Sequence, residues 1–115
     1  MGAPELRMKR PPDLSIFIPA YNEAKRLPRT LERVRDWVER KRKVSELEIE
    51  VLVVDDGSKD NTAEVVTSLE NDFEGLRLVS PGRHRGKGYS VRHGMLEALG
   101  RIALFTDAAH HLLLA

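Results

Sequence analysis

Four short stretches hold the side chains of this chain that could do chemistry. Pro19-Ala20-Tyr21-Asn22-Glu23 sets an aromatic ring beside a carboxylate, and Asp55-Asp56-Gly57-Ser58 sets two adjacent carboxylates before a glycine. Gly82-Arg83-His84-Arg85-Gly86-Lys87-Gly88 is a basic, glycine-rich loop, and Asp107 follows a run of apolar residues. A Tyr ring stacks on a nucleobase face for about 1–3 kcal/mol. A carboxylate that accepts from a base or ribose donor makes a charge-assisted bond about twice as strong as a neutral one. Basic side chains and backbone N–H groups at a helix N-terminus suit a diphosphate, and a carboxylate beside diphosphate oxygens suits a hard cation. Each stretch alone has a plainer reading. Tyr21-Asn22 and Asp56-Gly57 are ordinary turn signals, and basic loops are usually just solvated. Their joint placement is what points to a nucleotide diphosphate.

That placement depends on the elements between them. Leu14–Ile18 (LSIFI) is rich in β-branched and aromatic residues and reads as a buried strand ended by Pro19. From Ala24 to about Arg42, Leu27, Leu31, Val34 and Val38 recur at helical spacing. Glu48–Val54 (EIEVLVV) reads as a strand covered on both faces. Asp60 is placed to cap a second helix with Val65 or Val66, Leu69 and Phe73 inward, broken by Gly75. Leu76–Val79 makes a third strand. Val91, Met95 and Leu99 mark a third helix stopped by Gly100, and Ile102–Thr106 is a fourth strand. Strands alternating with helices predict an α/β fold with a parallel sheet and right-handed crossovers. In such sheets ligands bind outside the carboxyl ends of the strands. Three of the four polar stretches stand just after a strand there, and the basic loop follows the third.

Other function classes fall away on counts. The chain has 115 residues, no cysteine and a net charge of +1 from 19 basic and 18 acidic side chains. Thiolate metal sites, disulfides and cysteine nucleophiles are excluded, and there is no global positive field to draw nucleic acid. The basic loop is no phosphate-binding P-loop. Three residues separate Gly82 from Gly86 where that motif has four, and Gly88 stands where it needs Ser or Thr. The Gly86-to-Gly88 doublet lacks the third glycine of a dinucleotide fingerprint. No apolar run approaches the roughly 20 residues that span a bilayer, so the expected location is cytoplasmic. Leu6 stands where N-myristoylation wants Ser or Thr. Arg40-Lys41-Arg42-Lys43 reads as a solvated face favoured by the helix dipole. It also offers a peripheral contact with an anionic membrane, each charge adding about 1 kcal/mol. His110-His111 point apart on an extended segment and read as incidental.

The strings IPAYNEAKRLPRTL, VVDDGSKDNTAEVV, RGKGYSVRHGM and LFTDA, in this order and spacing, resemble the N-terminal half of family 2 glycosyltransferases of the Rossmann-like GT-A fold. The pattern is most similar to the dolichyl-phosphate β-glucosyltransferases, with the dolichyl- or polyprenyl-phosphate mannosyltransferases next. The resemblance implies that Pro19, Tyr21 and Glu23 border a nucleoside pocket and that Asp55 or Asp56 bonds the base or ribose. The basic loop, read from its own residues, offers Lys87 or Arg85 to face the diphosphate. The resemblance also implies sugar transfer, glucose from UDP-glucose or mannose from GDP-mannose, to a polyprenyl phosphate lipid. In the family an Asp-x-Asp motif follows the fourth strand and handles Mg²⁺ or Mn²⁺. Here it reads Asp107-Ala108-Ala109, so Asp107 alone is left to hold the ion, weakly or not at all.

The expected organisation is a flexible leader over residues 1–13, a nucleotide-sugar-binding half-domain over 14–107 and an atypical tail over 108–115. The fold is then truncated after its fourth strand, whose edge is expected to be exposed and prone to association. No residue is assigned a catalytic role, and the alternative to an enzyme is a catalytically silent nucleotide-binding remnant or fragment.

Overall fold

A computed structural model describes residues 10–106. The elements run β1 Leu14–Ala20, α1 Leu27–Ser45, β2 Ile49–Asp55, α2 Thr62–Leu69, a 3₁₀ turn Glu70–Asp72, β3 Leu76–Val79, α3 Lys87–Glu97 and β4 Ile102–Phe105. All pairings are parallel, in the order β3-β2-β1-β4. The chain steps outward through β1, β2 and β3 and then crosses to the other side of β1. That reversal creates a topological switch point at the carboxyl end of β1, the position where open α/β sheets bind ligands.

Side-chain alternation divides the core in two. Ile16, Ile18, Ile49, Val51, Val53 and Leu76 project to the face that α1 and α2 cover through Leu27, Leu31, Val34, Val38 and Val66. Phe17, Leu52, Val54 and Val79 project to the opposite face, with Val91 of α3 packed against them. The four positions expected to line the inner stripe of α1 are all buried. The helix starts three residues later than its periodicity suggests. The Glu23 carbonyl takes the N–H groups of Arg26 and Leu27 in a turn, and Pro28 sits in the first turn, where a missing N–H costs nothing.

Several expectations need correcting. Pro19 does not end the first strand but lies within it, paired with Val54. The Thr106 N–H reaches the Phe17 carbonyl, so odd-numbered β1 residues turn their backbone groups toward β4. The N–H that Pro19 lacks would therefore fall beyond the last β4 pairing, at Phe105, where proline is tolerated. Met95 of α3 and Leu99, beyond its end, are more than half exposed, and Ser90 and Gly94 are the residues α3 buries. The reason is close approach. A Cβ on Gly94 would fall within the Phe17 ring, so the small residues let the helix lie flat on the sheet. Helix α3 ends at Glu97, before Gly100, because the Leu99 N–H is captured by Glu50 at 2.7 Å and the Gly100 N–H by Ser15 Oγ at 2.8 Å.

Glu50 is fully buried, in a strand expected to bury apolar side chains. It accepts from Ser15 Oγ at 2.6 Å, from the Leu99 N–H and from Arg77 Nε at 3.3 Å, which satisfies a charge that would otherwise be costly. Residues 10–13, expected to belong to a frayed leader, are held in place. Asp13 exchanges hydrogen bonds with the Glu48 backbone, and Arg10 donates to the Glu46 carbonyl at 2.9 Å. Arg42 departs from the solvated basic run, its guanidinium donating to the carbonyls of Ile49 and Glu74. At the sheet edge Ile102, Leu104 and Phe105 of β4 are about half exposed, as expected of an edge strand. Among the described residues no helix is long and apolar enough to cross a membrane.

Candidate functional site

Three loops meet above the carboxyl ends of β1 and β2, and short polar residues tie them together. Asn22 adopts a left-handed conformation with φ 53°, which Asn tolerates well. Its Oδ1 accepts the Lys59 N–H at 2.8 Å, and its own N–H donates to Ser58 Oγ at 2.8 Å. The Glu23 N–H donates to Thr62 Oγ1 at 3.0 Å and the Ala24 N–H to Asp60 Oδ2 at 3.3 Å. The loop after β1 is thereby fastened to the loop after β2. Asp60 is not the cap expected of it, since the N-cap of α2 is Asn61, which makes no side-chain cap bond. Asp60, one residue earlier, instead accepts the Thr62 N–H at 3.0 Å and also the Thr62 hydroxyl. These donors hold its carboxyl below the ordinary 3.8, the Thr62 hydroxyl contributing most.

The third loop, after β3, is anchored by Asp56. This carboxylate is 3% exposed and accepts the Arg85 and Gly86 N–H groups, each at 2.8 Å. His84 Nδ1 stands 2.7 Å from Asp56 Oδ2. The same Nδ1 lies within hydrogen-bond distance of the Asp56 carbonyl oxygen, at 3.3 Å, and because both oxygens only accept, the pair of contacts favours a proton on Nδ1. Gly57 makes the crossing possible. It sits at φ 69°, and a Cβ there would lie 2.7 Å from the Arg83 carbonyl carbon and closer still to the His84 nitrogen. The Asp-Asp-Gly sequence thus supplies an anchor for the loop and room for its backbone.

The loops enclose a cavity of about 320 Å³, lined by Pro19, Ala20, Tyr21, Glu23, Asp56, His84, Lys87 and Ser90. Five of the residues singled out in the sequence, Pro19, Tyr21, Glu23, Asp56 and Lys87, are brought together there. Asp55 is not among the lining residues. It is 6% exposed and accepts the Ser58 N–H at 3.1 Å, a turn-forming role. Nor is Arg85, whose guanidinium lies 4.8 Å from the centre of the Tyr89 ring. Glu23 pairs with Arg26 at 3.2 Å, and Lys87 lies at the amino end of α3, where the helix dipole favours anions. Asp107, Ala109 and the histidine pair lie outside the described residues. Among the described residues, no group of three or more His, Cys, Asp or Glu side chains is arranged to hold a metal ion.

Three lining residues, Ala20, Ser90 and His84, carry no role legible in the sequence. Ser90 is fully buried, and its hydroxyl lacks a hydrogen-bond partner. His84 stacks on Tyr21 with ring centroids 4.1 Å apart and planes inclined by 28°. A histidine inside a basic loop reads as one more solvated side chain. Only the fold brings it to a tyrosine 63 positions earlier. A larger hollow of about 610 Å³ lies along α1 and α2 beside Arg29, Arg33 and Phe73. It is remote from the strand ends, and the convergence of loops, not volume, identifies the smaller cavity as the site.

The family profile for Glycosyl transferase family 2 matches residues 15–110. A dolichyl-phosphate beta-glucosyltransferase of Trichomonas vaginalis is 40% identical over 96 residues, 83% of this chain and 29% of the relative. One of Drosophila melanogaster is 42% identical over 99 residues, 84% of this chain and 30% of the relative. Among solved structures, a mannosyltransferase of Pyrobaculum calidifontis in complex with GDP-Man and Mn²⁺ superposes with a TM-score of 0.72 at 28% identity. That match covers 87% of this chain and 28% of the other. S. aureus TarS in complex with UDP superposes with a TM-score of 0.69 at 27% identity, over 84% of this chain and 27% of the other. The fold is thus that of GT-A glycosyltransferases. The chain spans about 30% of the length of the curated relatives it matches.

Proposed function

The chain belongs to glycosyl transferase family 2, and from that premise we propose that it forms the donor-binding half of an enzyme transferring glucose from UDP-glucose to dolichyl or another polyprenyl phosphate. One observation carries this reading. Tyr21, Glu23, Asp56 and Lys87, from three separate segments, line one cavity at the switch point of the sheet.

In this assignment the base lies against Pro19 and Tyr21, and Asp56 accepts from a base or ribose donor. Glu23 borders the nucleoside. Lys87 and the amino end of α3 face the diphosphate, where positive charge stabilises the departing nucleoside diphosphate. The acceptor phosphate is already anionic near neutral pH, so its oxygen attacks the anomeric carbon without a protein base. The C1–O bond to the diphosphate breaks as the new bond forms, and the configuration inverts. A divalent ion, when bound, adds charge neutralisation at the diphosphate. It would rely on Asp107 and on the donor's own oxygens, because the described residues contain no ligand cluster of their own.

In this reading the lipid acceptor sets the reaction at a membrane surface, expected to be its cytoplasmic face. Arg40 and Lys43, exposed on α1, are suited to face anionic headgroups there. GDP-mannose is the second donor, favoured by the GDP-Man complex of the solved mannosyltransferase. A nucleotide-binding unit without turnover is the second function, favoured by Ala109 at the place of the second carboxylate of the family motif.

Calorimetry of the purified chain with UDP, GDP, UDP-glucose and NAD, each with and without Mn²⁺, tests the assignment. UDP is expected to bind, more tightly with Mn²⁺, and NAD not to bind. Absence of heat with every uridine and guanosine nucleotide would remove the proposal.

A further inference from the structure

His84 occupies both of the groups that the proposed function reserves for the nucleobase. Its imidazole rests on the Tyr21 ring at 4.1 Å between centroids, the stacking a base would use. Its Nδ1 stands 2.7 Å from Asp56 Oδ2 and bonds the Asp56 carbonyl oxygen at 3.3 Å, beside the carboxylate that the N–H of a uracil or guanine ring would use. Tyr21, Glu23, Asp56 and Lys87, which line the same cavity as that ring, are the residues assigned to the donor. The imidazole is also half exposed, at 51%, so it can swing into solvent without opening the core. The loop would not collapse with it. The Arg85 and Gly86 N–H groups stay bonded to Asp56 through the backbone.

We propose that His84 is an internal stand-in for the nucleobase, which fills the Tyr21–Asp56 subsite until a nucleotide displaces it and so sets the apparent affinity for every base. The inference rests on the donor-site reading and adds a competitor to it. Every base must displace a stack and a polar contact with Asp56, which lowers the apparent affinity for all of them by one factor. Discrimination comes from Asp56 itself, which favours a ring with an N–H directed at it. Uracil and guanine carry such an N–H; cytosine presents an acceptor nitrogen at the corresponding ring position.

The proposal has an unusual consequence for mutation, because removing a residue that contacts the site should tighten binding. For His84→Ala we expect UDP affinity to rise about two- to tenfold, the factor that loss of one aromatic pair supports. CDP should gain by the same factor as UDP, since the displaced ring lowers the apparent affinity of every base equally. His84→Phe keeps the stack without the proton donor and should fall between wild type and His84→Ala. In the wild-type chain, the His84 ring-proton resonances should carry the ring-current shift of Tyr21 and lose it on titration with UDP.

Calorimetry on the three proteins and the wild-type NMR titration decide the matter independently of one another. UDP binding to wild type without movement of the His84 resonances, or equal or weaker binding by a folded His84→Ala, overturns the proposal and leaves the donor site standing. Failure of every nucleotide to bind both wild type and His84→Ala overturns the donor site and this inference together.

Discussion

Replacing Asp56 by Asn changes one atom and almost no volume, yet it removes the charge that three donors share. In the native protein Oδ1 takes the Arg85 N–H and Oδ2 the Gly86 N–H, with His84 Nδ1 2.7 Å from Oδ2. The asparagine can keep Oδ1 toward Arg85, a bond that falls from charge-assisted to neutral, a loss of about 1 kcal/mol. Its amide nitrogen then confronts the Gly86 N–H, donor against donor. His84 escapes the conflict by moving its proton to Nε2 and accepting, an option a backbone N–H does not have. Loss of the Gly86 bond costs about 1.5–3 kcal/mol in full burial. Gly86 is only partly buried, so water recovers some of it. The expected destabilisation is about 2 kcal/mol, read as a lower urea midpoint at unchanged slope. Amide exchange gives a local reading, because Gly86 exchange should accelerate about 30-fold if all of that energy falls on the loop. A variant whose Gly86 amide exchanges within about twofold of wild type, at a stability within about 0.5 kcal/mol, would refute Asp56 as the anchor of the loop.

Glu50→Ala should destabilise the chain by about 3 kcal/mol, the lower end for breaking a buried ion pair. Arg77 keeps its contacts with the Glu97 carbonyl and carboxylate, but Ser15 Oγ and the Leu99 N–H lose their acceptor. Urea unfolding measures this, and a change below about 1 kcal/mol would show that the network is incidental. Asp60 supplies a pH signature. Its folded pKa lies below the ordinary 3.8, so its contribution is full above that value and lost as pH falls below it through the folded pKa. Asp60→Asn should therefore be less stable than wild type near neutrality, with the gap closing as pH drops below about 3.8. Asp13, lowered chiefly by the Glu48 backbone N–H, titrates in the same sense and leaves a residual acid slope in the variant. Parallel stability curves for the two proteins would exclude the assigned role of Asp60.

The fold class, the order of elements and most of the cavity lining were legible in the residues, for a physical reason. Hydrophobic periodicity is local, and in a parallel sheet the loops after successive strands must lie at one edge. Once strands were recognised before Tyr21 and Asp56, those side chains had to be neighbours. Periodicity also found Leu27, Leu31, Val34 and Val38, because α1 is long and packs large side chains against the sheet. It misread α3, where contact is made by Ser90 and Gly94, residues too small to register as an apolar stripe.

Only the tertiary structure decided how the polar groups were used. Asp55 and Asp56 are adjacent and chemically identical. Strand alternation sends one into a turn with Ser58 and leaves the other to hold the loop after β3. Glu50 is charged and still fully buried, since its partners Ser15, Arg77 and Leu99 come from segments up to 49 residues away. The same holds for His84. Nothing near it in the chain separates a solvated basic residue from an imidazole seated between Tyr21 and Asp56. The sequence by itself determined which groups gather at the sheet edge, since that follows from local periods and a parallel topology. Which of them remain available to a ligand depended on hydrogen bonds between distant segments, and those exist only in the folded chain.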